Sequence, residues 1–545
     1  MKEIKSQNNN GLKIIILAVV LIVIYCVAIT PVTLQNDTYY TIKIGEHIQN
    51  VGIDMKDPFS WHEGLDYTYP HWLYDLLTFK LYEAFGFMGI YVATCILSSV
   101  LGLLIFFVNC KLSKNKIISF FVTIGVMYLI QGYIAARAQL VTFILFILEV
   151  FFIEKFIEKK KIGYGIGLIL ISLLMANLHV AVWPFFFVLF MPYIGEYLIA
   201  ILGDFIIYRK LQEIGLKLRL KITESKEKRE IIENNIQELQ EKVKKIKVKR
   251  SKNLENPYKI KITKNKNVKW LILIMVICMF TGLLTPIGDT PYTYLIKTME
   301  GNTTSNINEH LPMTISEQPE VLCAIIIILS IITFTKTKIK LNDLFMIGGL
   351  ALLMLYTRRQ LSMFSIIGSI VLCRLIVELI KTYDKEKVIN SLKPIIMVIM
   401  IVLVGWLSYD GFSNKAKDDF ISESTYPTKA CDYILKNIDL NKAKFYNDYD
   451  YGSYMLFRGI PVFIDSRADL YAPEFSGLED DIFSDYINVS SIGDFYEDIF
   501  EKYHITHAIM HSNAKISMII DQTNDSRYKK IYSDDYFVIY ERLSN

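Results

Sequence analysis

The sequence predicts a polytopic α-helical membrane protein of about eleven spans with a C-terminal extracytoplasmic α/β domain. Three observations predict it. The 545 residues are 52% hydrophobic, with a mean hydropathy of +0.32, too apolar for an ordinary soluble protein. The apolar residues gather in long blocks, and a hydrocarbon core about 30 Å thick takes roughly 20 of them as helix. After Trp406 the blocks give way to short alternating runs.

In chain order, spans are expected near residues 12 to 30, 88 to 109, 117 to 135, 138 to 156, 163 to 179, 182 to 206, 270 to 287, 320 to 335, 343 to 357, 360 to 380 and 394 to 409. No small-residue cleavage site follows ITPVTLQND, so the first block reads as an anchor. The basic stretches MKEIK, KLSKNK, EKFIEKKK, the segment from Arg209, TKTKIK and KTYDKEK all fall on one side, which is therefore the cytoplasm. The chain divides into a membrane region (1–208) with an outer loop (31–87), a cytoplasmic insert (209–269), a second membrane region (270–409) and an outer domain (410–545).

Charge follows the same division. Residues 209–269 hold 20 Lys and Arg against 8 Asp and Glu, whereas residues 410–545 hold 14 against 24. The basic insert should lie against anionic lipid headgroups. Its Ile232, Ile236, Leu239, Val243 and Ile246 alternate four and three apart, as in a helical hairpin or short coiled coil. Of the seven cysteines, only Cys431 belongs to the outer domain, and no disulfide framework is implied.

In the outer loop, DTYYTIKIGEHIQN and HWLYDLLTFKLYEAFG read as two amphipathic helices at the membrane interface. GIDMKDPFSWHEG joins them and carries Asp54, Asp57, Trp61 and His62. In the outer domain AKFYND, YMLFRG, PVFIDSR, THAIMHS, RYKKIYSD and YFVIYER read as strands, the last two as a hairpin, with helices around 428–437 and 491–503.

All eight histidines fall on the outer side or at an outer helix end, as do Asp37, Asp54, Asp57, Arg137, Glu309, Arg358 and Arg359. Ionisable groups at membrane depth are costly and mark function. Their convergence implies a polar cavity at the outer leaflet. Asp37 either caps the helix after the first span or takes a proton from an attacking hydroxyl as a general base. Arg358 and Arg359, in the turn YTRRQL, either anchor helices in headgroups or bind a lipid-linked phosphate with their planar forks, and Arg137 offers a third such group. His71, His179, Glu309 and His310 complete the set. The carboxylates and imidazole of Asp37, Glu309 and His310 suit a divalent metal, although no cofactor is required by the sequence. His504, His507 and His511 lie on an expected strand, where their spacing keeps no common face.

These residues carry a resemblance. A first span followed by ND, then DPFSW and YPHWLYDLLTFKLYEAFGFMGI, resembles the first outer loop of the GT-C superfamily of membrane glycosyltransferases, especially bacterial relatives of protein O-mannosyltransferases. The likeness continues through RAQLVTF, ANLHVAVWP, LTPIGDTPYTYL, INEHLP, TRRQLSMF and FYNDYDYGSYMLFRGIPVFIDSRADLY. It implies a GT-C-like fold, a catalytic acidic residue at Asp37, a polyprenyl-phosphate sugar donor bound through Arg358, Arg359 and Arg137, and a glycan, lipid or protein acceptor. The sugar and acceptor pocket is then lined by Asp54, Asp57, His71, His179, Glu309 and His310. The mannosyltransferases carry adjacent acidic residues after the first span, whereas Asn36 precedes Asp37 here. Either Asp54 or Asp57 supplies a second carboxylate, or one suffices. DYDYGSY is distantly similar to the WWDYG motif of oligosaccharyltransferases, but Asp448 and Tyr449 replace its tryptophans, and a turn between two strands is the other reading of DYG. Nothing in the sequence indicates a nucleic-acid partner. The rival class is non-catalytic: a lipid-linked glycan transporter or a membrane scaffold.

Overall fold

The structure is a computed structural model that describes residues 2–202, 206–252, 259–314 and 318–543. It is mostly helical, with a small C-terminal sheet. Helices occupy each expected span. Among the described residues five are long and apolar enough to cross a membrane: Leu12–Ile29, Trp72–Ser113, Val180–Ile201, Arg358–Thr382 and Lys393–Lys415. Lys116–Leu129, Ile162–Leu178, Val268–Leu283, Pro319–Phe334 and Leu341–Tyr356 are shorter apolar helices. Their outward faces stay apolar. Leu12, Ile16, Val20 and Ile24 form a stripe along the first helix, and Trp406 near the end of the last is 73% exposed. Such a continuous apolar surface suits hydrocarbon rather than water.

The outer loop folds as two helices, Asn36–Asn50 and the start of Trp72–Ser113. Gly86, at φ 61°, breaks the second from the long apolar helix that follows, a backbone angle that glycine adopts without cost. The two helices pack closely: a Cβ on Gly45 would lie 2.2 Å from the Asp75 carbonyl oxygen. The third expected span stops early, at Leu129, because Gln131–Tyr133 forms a tight turn and the backbone then bends through 135–137 before the next helix. In the insert, helices Ile206–Ile222 and Lys226–Lys252 form a hairpin in which Ile236 and Val243 are buried. The side chain of Ile246 lies outside the described residues.

The C-terminal sheet has four strands in the spatial order Phe445–Tyr446, His507–His511, Phe537–Arg542 and Tyr528–Ser533. The first pair is parallel and the others are antiparallel. Two expected strands are absent. YMLFRG belongs to helix Tyr449–Phe457, because the Asp448 side chain accepts from the Asp450 backbone N–H and caps it, overriding local alternation. DYG is therefore the first turn of a helix rather than a turn between strands. A Cβ on Gly452 would lie 2.0 Å from the Ile464 oxygen, so this helix approaches PVFIDSR too closely for any side chain. PVFIDSR stays irregular and bonds to the outer loop instead, with Ser60 Oγ donating to the Val462 oxygen at 3.0 Å. The helix expected at 491–503 is shorter, Tyr496–Lys502, because Ile492 turns to φ 65° and ends a separate preceding helix, Ile482–Ser491.

Loop and domain share one core, in which Tyr39 packs on Tyr426 and Tyr454 and Trp61 packs on Phe463. Trp61 Nε1 donates to the Phe445 oxygen at 3.0 Å, and His62 Nε2 lies 3.0 Å from the Phe463 oxygen. At the centre, Arg467 Nη1 lies 2.7 Å from Asp57 Oδ1, while Nε and Nη2 lie 2.8 and 2.6 Å from the two Asp465 oxygens. The Arg467 side chain is 3% exposed and both carboxylates are wholly buried. Removing one partner of such a group strands buried charge. Replacing Arg467 with Met should therefore destabilise the protein by about 3–5 kcal/mol in thermal unfolding followed by tryptophan fluorescence. A loss below about 1 kcal/mol, as for surface pairs, would show that the cluster does not hold the two parts together.

Candidate functional site

Where the outer loop, several interhelical turns and the C-terminal domain meet, they enclose a cavity of about 490 Å³. Helix Asn36–Asn50 brings Asp37 to it. That helix starts at Asn36 with Gln35 as its cap residue, so Asp37 lies within the first turn and is not the cap. Its Oδ2 is 2.9 Å from Arg137 Nε. Asn36 Nδ2 donates to the Tyr449 oxygen at 2.8 Å and ties this helix end to the DYG helix.

Arg137 occupies the extended turn before helix Ala138–Lys159, and its Nη1 lies 3.1 Å from Glu309 Oε1. Glu309 and His310 come from the short turn Asn308–His310, and Arg359 from the turn Arg358–Gln360. Burial tends to raise the Glu309 carboxyl, but Arg137 and Arg359 outweigh it and hold the group below the usual carboxylate range. Burial first, and then the Arg359 charge, holds His310 below the ordinary imidazole range. His71 is pushed down to about 3 by burial, aided by Arg359 and Arg137. Its ring lies 4.8 Å from that of His179, whose Nδ1 is 2.9 Å from Thr142 Oγ1. His71 and His310 thus face the cavity as neutral hydrogen-bonding groups at pH 7.

Asp37, Arg137, Arg359, His71, His179, Glu309 and His310 all line this cavity. Three expected residues do not. Asp57 is buried against Arg467. Asp54 sits in the loop, where its oxygens meet Tyr69 at 2.6 Å and His47 at 3.1 Å. Burial pushes its carboxyl up, but the hydrogen bonds from Tyr69, Lys56 and His47 outweigh this and leave it below the usual range. Both acids shape the loop; neither supplies a second carboxylate beside Asp37. Arg358 opens instead into an adjoining cavity of about 350 Å³.

Sequence reasoning missed the wall formed by Tyr449, Arg467 and Asp469. Asp469 accepts from Tyr294 Oη at 2.5 Å and Thr303 Oγ1 at 3.0 Å, which fixes the domain to the turns beneath it. The charged run SRAD between two apolar stretches was the only available signal. Asp75 was missed too; it is fully buried behind the Tyr40, Thr41 and Tyr67 lining. Among the described residues no group of three or more His, Cys, Asp or Glu is placed to hold a metal ion. His507 and His511 stand on a sheet strand, and His504 precedes it. Compared with family models and with curated proteins, the chain matches none.

The depressed His71 has a stability consequence. Its folded value near 3 lies below the ordinary 6.5, so the unfolded chain takes up this proton first as pH falls. Stability from this residue is present above about pH 6.5 and is lost progressively towards about pH 3. His71→Gln should flatten the decline of the unfolding temperature between about pH 7 and 4. Equal slopes in both proteins would contradict the neutral, enclosed imidazole.

Proposed function

We propose that the chain is an integral membrane glycosyltransferase of GT-C type, which takes a sugar from a polyprenyl-phosphate donor and transfers it to an acceptor on the outer face of the cell membrane. In this reading it crosses the membrane about eleven times, with the N-terminus and residues 209–269 in the cytoplasm and residues 410–545 outside. The observation that carries it is the ion pair of Asp37 with Arg137 in a cavity that Arg359 also lines, at the domain-bearing end of an apolar helical bundle. A carboxylate and two guanidinium groups lining one cavity suit transfer from a sugar phosphate.

Asp37 accepts the proton of an acceptor hydroxyl as that oxygen attacks the anomeric carbon. The bond from the anomeric carbon to the phosphate oxygen breaks, its electron pair stays on that oxygen, and polyprenyl phosphate leaves. Arg359 and Arg137 stabilise the charge that grows there. His71, His179 and His310 meet sugar hydroxyls as neutral donors and acceptors. A lipid-linked donor fits the architecture, because its tail partitions among apolar helices while its phosphate stays at the polar end.

Asp37→Asn keeps the size of the side chain and removes the base. Release of polyprenyl phosphate from a panel of polyprenyl-phosphate sugars, with cell-envelope acceptors, should fall about 10²- to 10⁴-fold in the variant with unfolding unchanged. Equal turnover in variant and parent removes Asp37 from that role. An inactive parent across a broad panel would favour a scaffold or transporter.

A further inference from the structure

Arg358 and Arg359 are neighbours in sequence but open into different cavities. Between these stands the Arg137–Glu309 ion pair, since Arg137, Gln139, Asn308 and Glu309 line both. Three features of the pair matter. Glu309 sits on a short turn stapled to the arginine turn: Thr357 Oγ1 donates to the Glu309 oxygen at 3.1 Å, and the Arg358 backbone N–H donates to the Leu311 oxygen at 3.0 Å. The Glu309 side chain is 45% exposed, so its contact with the largely buried Arg137 is open to water on the Glu309 side and can be exchanged. Finally, a carboxylate presents to a guanidinium the same pair of oxygens that a phosphate does.

The geometry points to Glu309 as an internal competitor for phosphate: its carboxylate holds on Arg137 the position that a phosphate monoester takes in passing between the two cavities. Arg359 receives the phosphate on the larger side and Arg358 on the smaller. This rests on the reading of the main cavity as a donor-phosphate site. A phosphodiester donor carries one negative charge, and the monoester left after sugar transfer carries up to two. Arg137 exchanges Glu309 for the phosphate as that charge grows, then takes Glu309 back as the monoester moves towards Arg358. The competing carboxylate keeps the product from being held too long.

The test is equilibrium binding of farnesyl phosphate to the full-length protein in lipid nanodiscs, with inorganic phosphate as competitor. Glu309→Gln should bind farnesyl phosphate about fivefold more tightly, the scale expected for a partly exposed ion pair. Glu309→Asp should stay near the parent. Arg358→Gln should bind at least about tenfold more weakly, the loss expected for a charge-assisted hydrogen bond. Competition by inorganic phosphate shows a site for the phosphate group itself; weak competition shows that the lipid chain also contributes, and either fits. Unchanged binding in Glu309→Gln or Arg358→Gln, with Arg359→Gln still weakened, overturns the competitor role and leaves the proposed function standing. Failure of the parent and every variant to bind, with unfolding temperatures unchanged, overturns both.

Discussion

The buried contact of Arg467 with Asp57 and Asp465 is the constraint on which the rest of the site depends. Asp57 and Arg467 are 410 positions apart, in a loop between two helices and in a C-terminal domain. Nothing local holds these parts in register. Tyr67 and Phe59 rings flank the guanidinium, with centroids 5.0 and 5.6 Å away, and Tyr471 donates to Asp465 at 2.5 Å, so every face of the group is met. Buried ion pairs are poor evidence for net stability, because desolvation offsets much of the attraction. Their stronger effect is on alternatives: a domain docked one step away would leave an arginine and two carboxylates buried without partners.

Docking in that register makes the cavity. Tyr449, Arg467 and Asp469 close a wall that the helices leave open, while Asn36 bonds to the Tyr449 oxygen and orients the helix that carries Asp37. The charge within is arranged in a line. Asp37 lies on Arg137, Arg137 on Glu309, and Arg359 is close enough to depress His71, His310 and Glu309 together. The arrangement holds His71 and His310 neutral beside the guanidinium groups of Arg137 and Arg359.

Much of this was legible from the apolar blocks. Block lengths fix which end of each helix a turn occupies, and that alone gathers Asp37, Arg137, His71, His179, Glu309, His310 and Arg359 at one end. Hydropathy carries no information about rotation or depth, so it did not separate Arg358 from Arg359. Nor did it show that Asp54 turns to Tyr69 and His47, or that Asp57 faces a buried arginine. In the C-terminal domain the hairpin Tyr528–Ser533 and Phe537–Arg542 follows from alternation. The helix Tyr449–Phe457 does not, because its cap at Asp448 and its close approach at Gly452 depend on a neighbouring segment. Arg467 and Asp469 were hidden for the same reason: their meaning lies in partners far along the chain.

The central claim is that one cavity holds a sugar phosphate with its reacting carbon towards Asp37. The most direct measurement is a structure of the full-length protein in lipid with a non-cleavable prenyl phosphonate sugar. Density is expected for the phosphonate between Arg137 and Arg359 and for the sugar ring on the Asp37 side of it. Density for the phosphonate outside this cavity, or a ring turned away from Asp37, would contradict it.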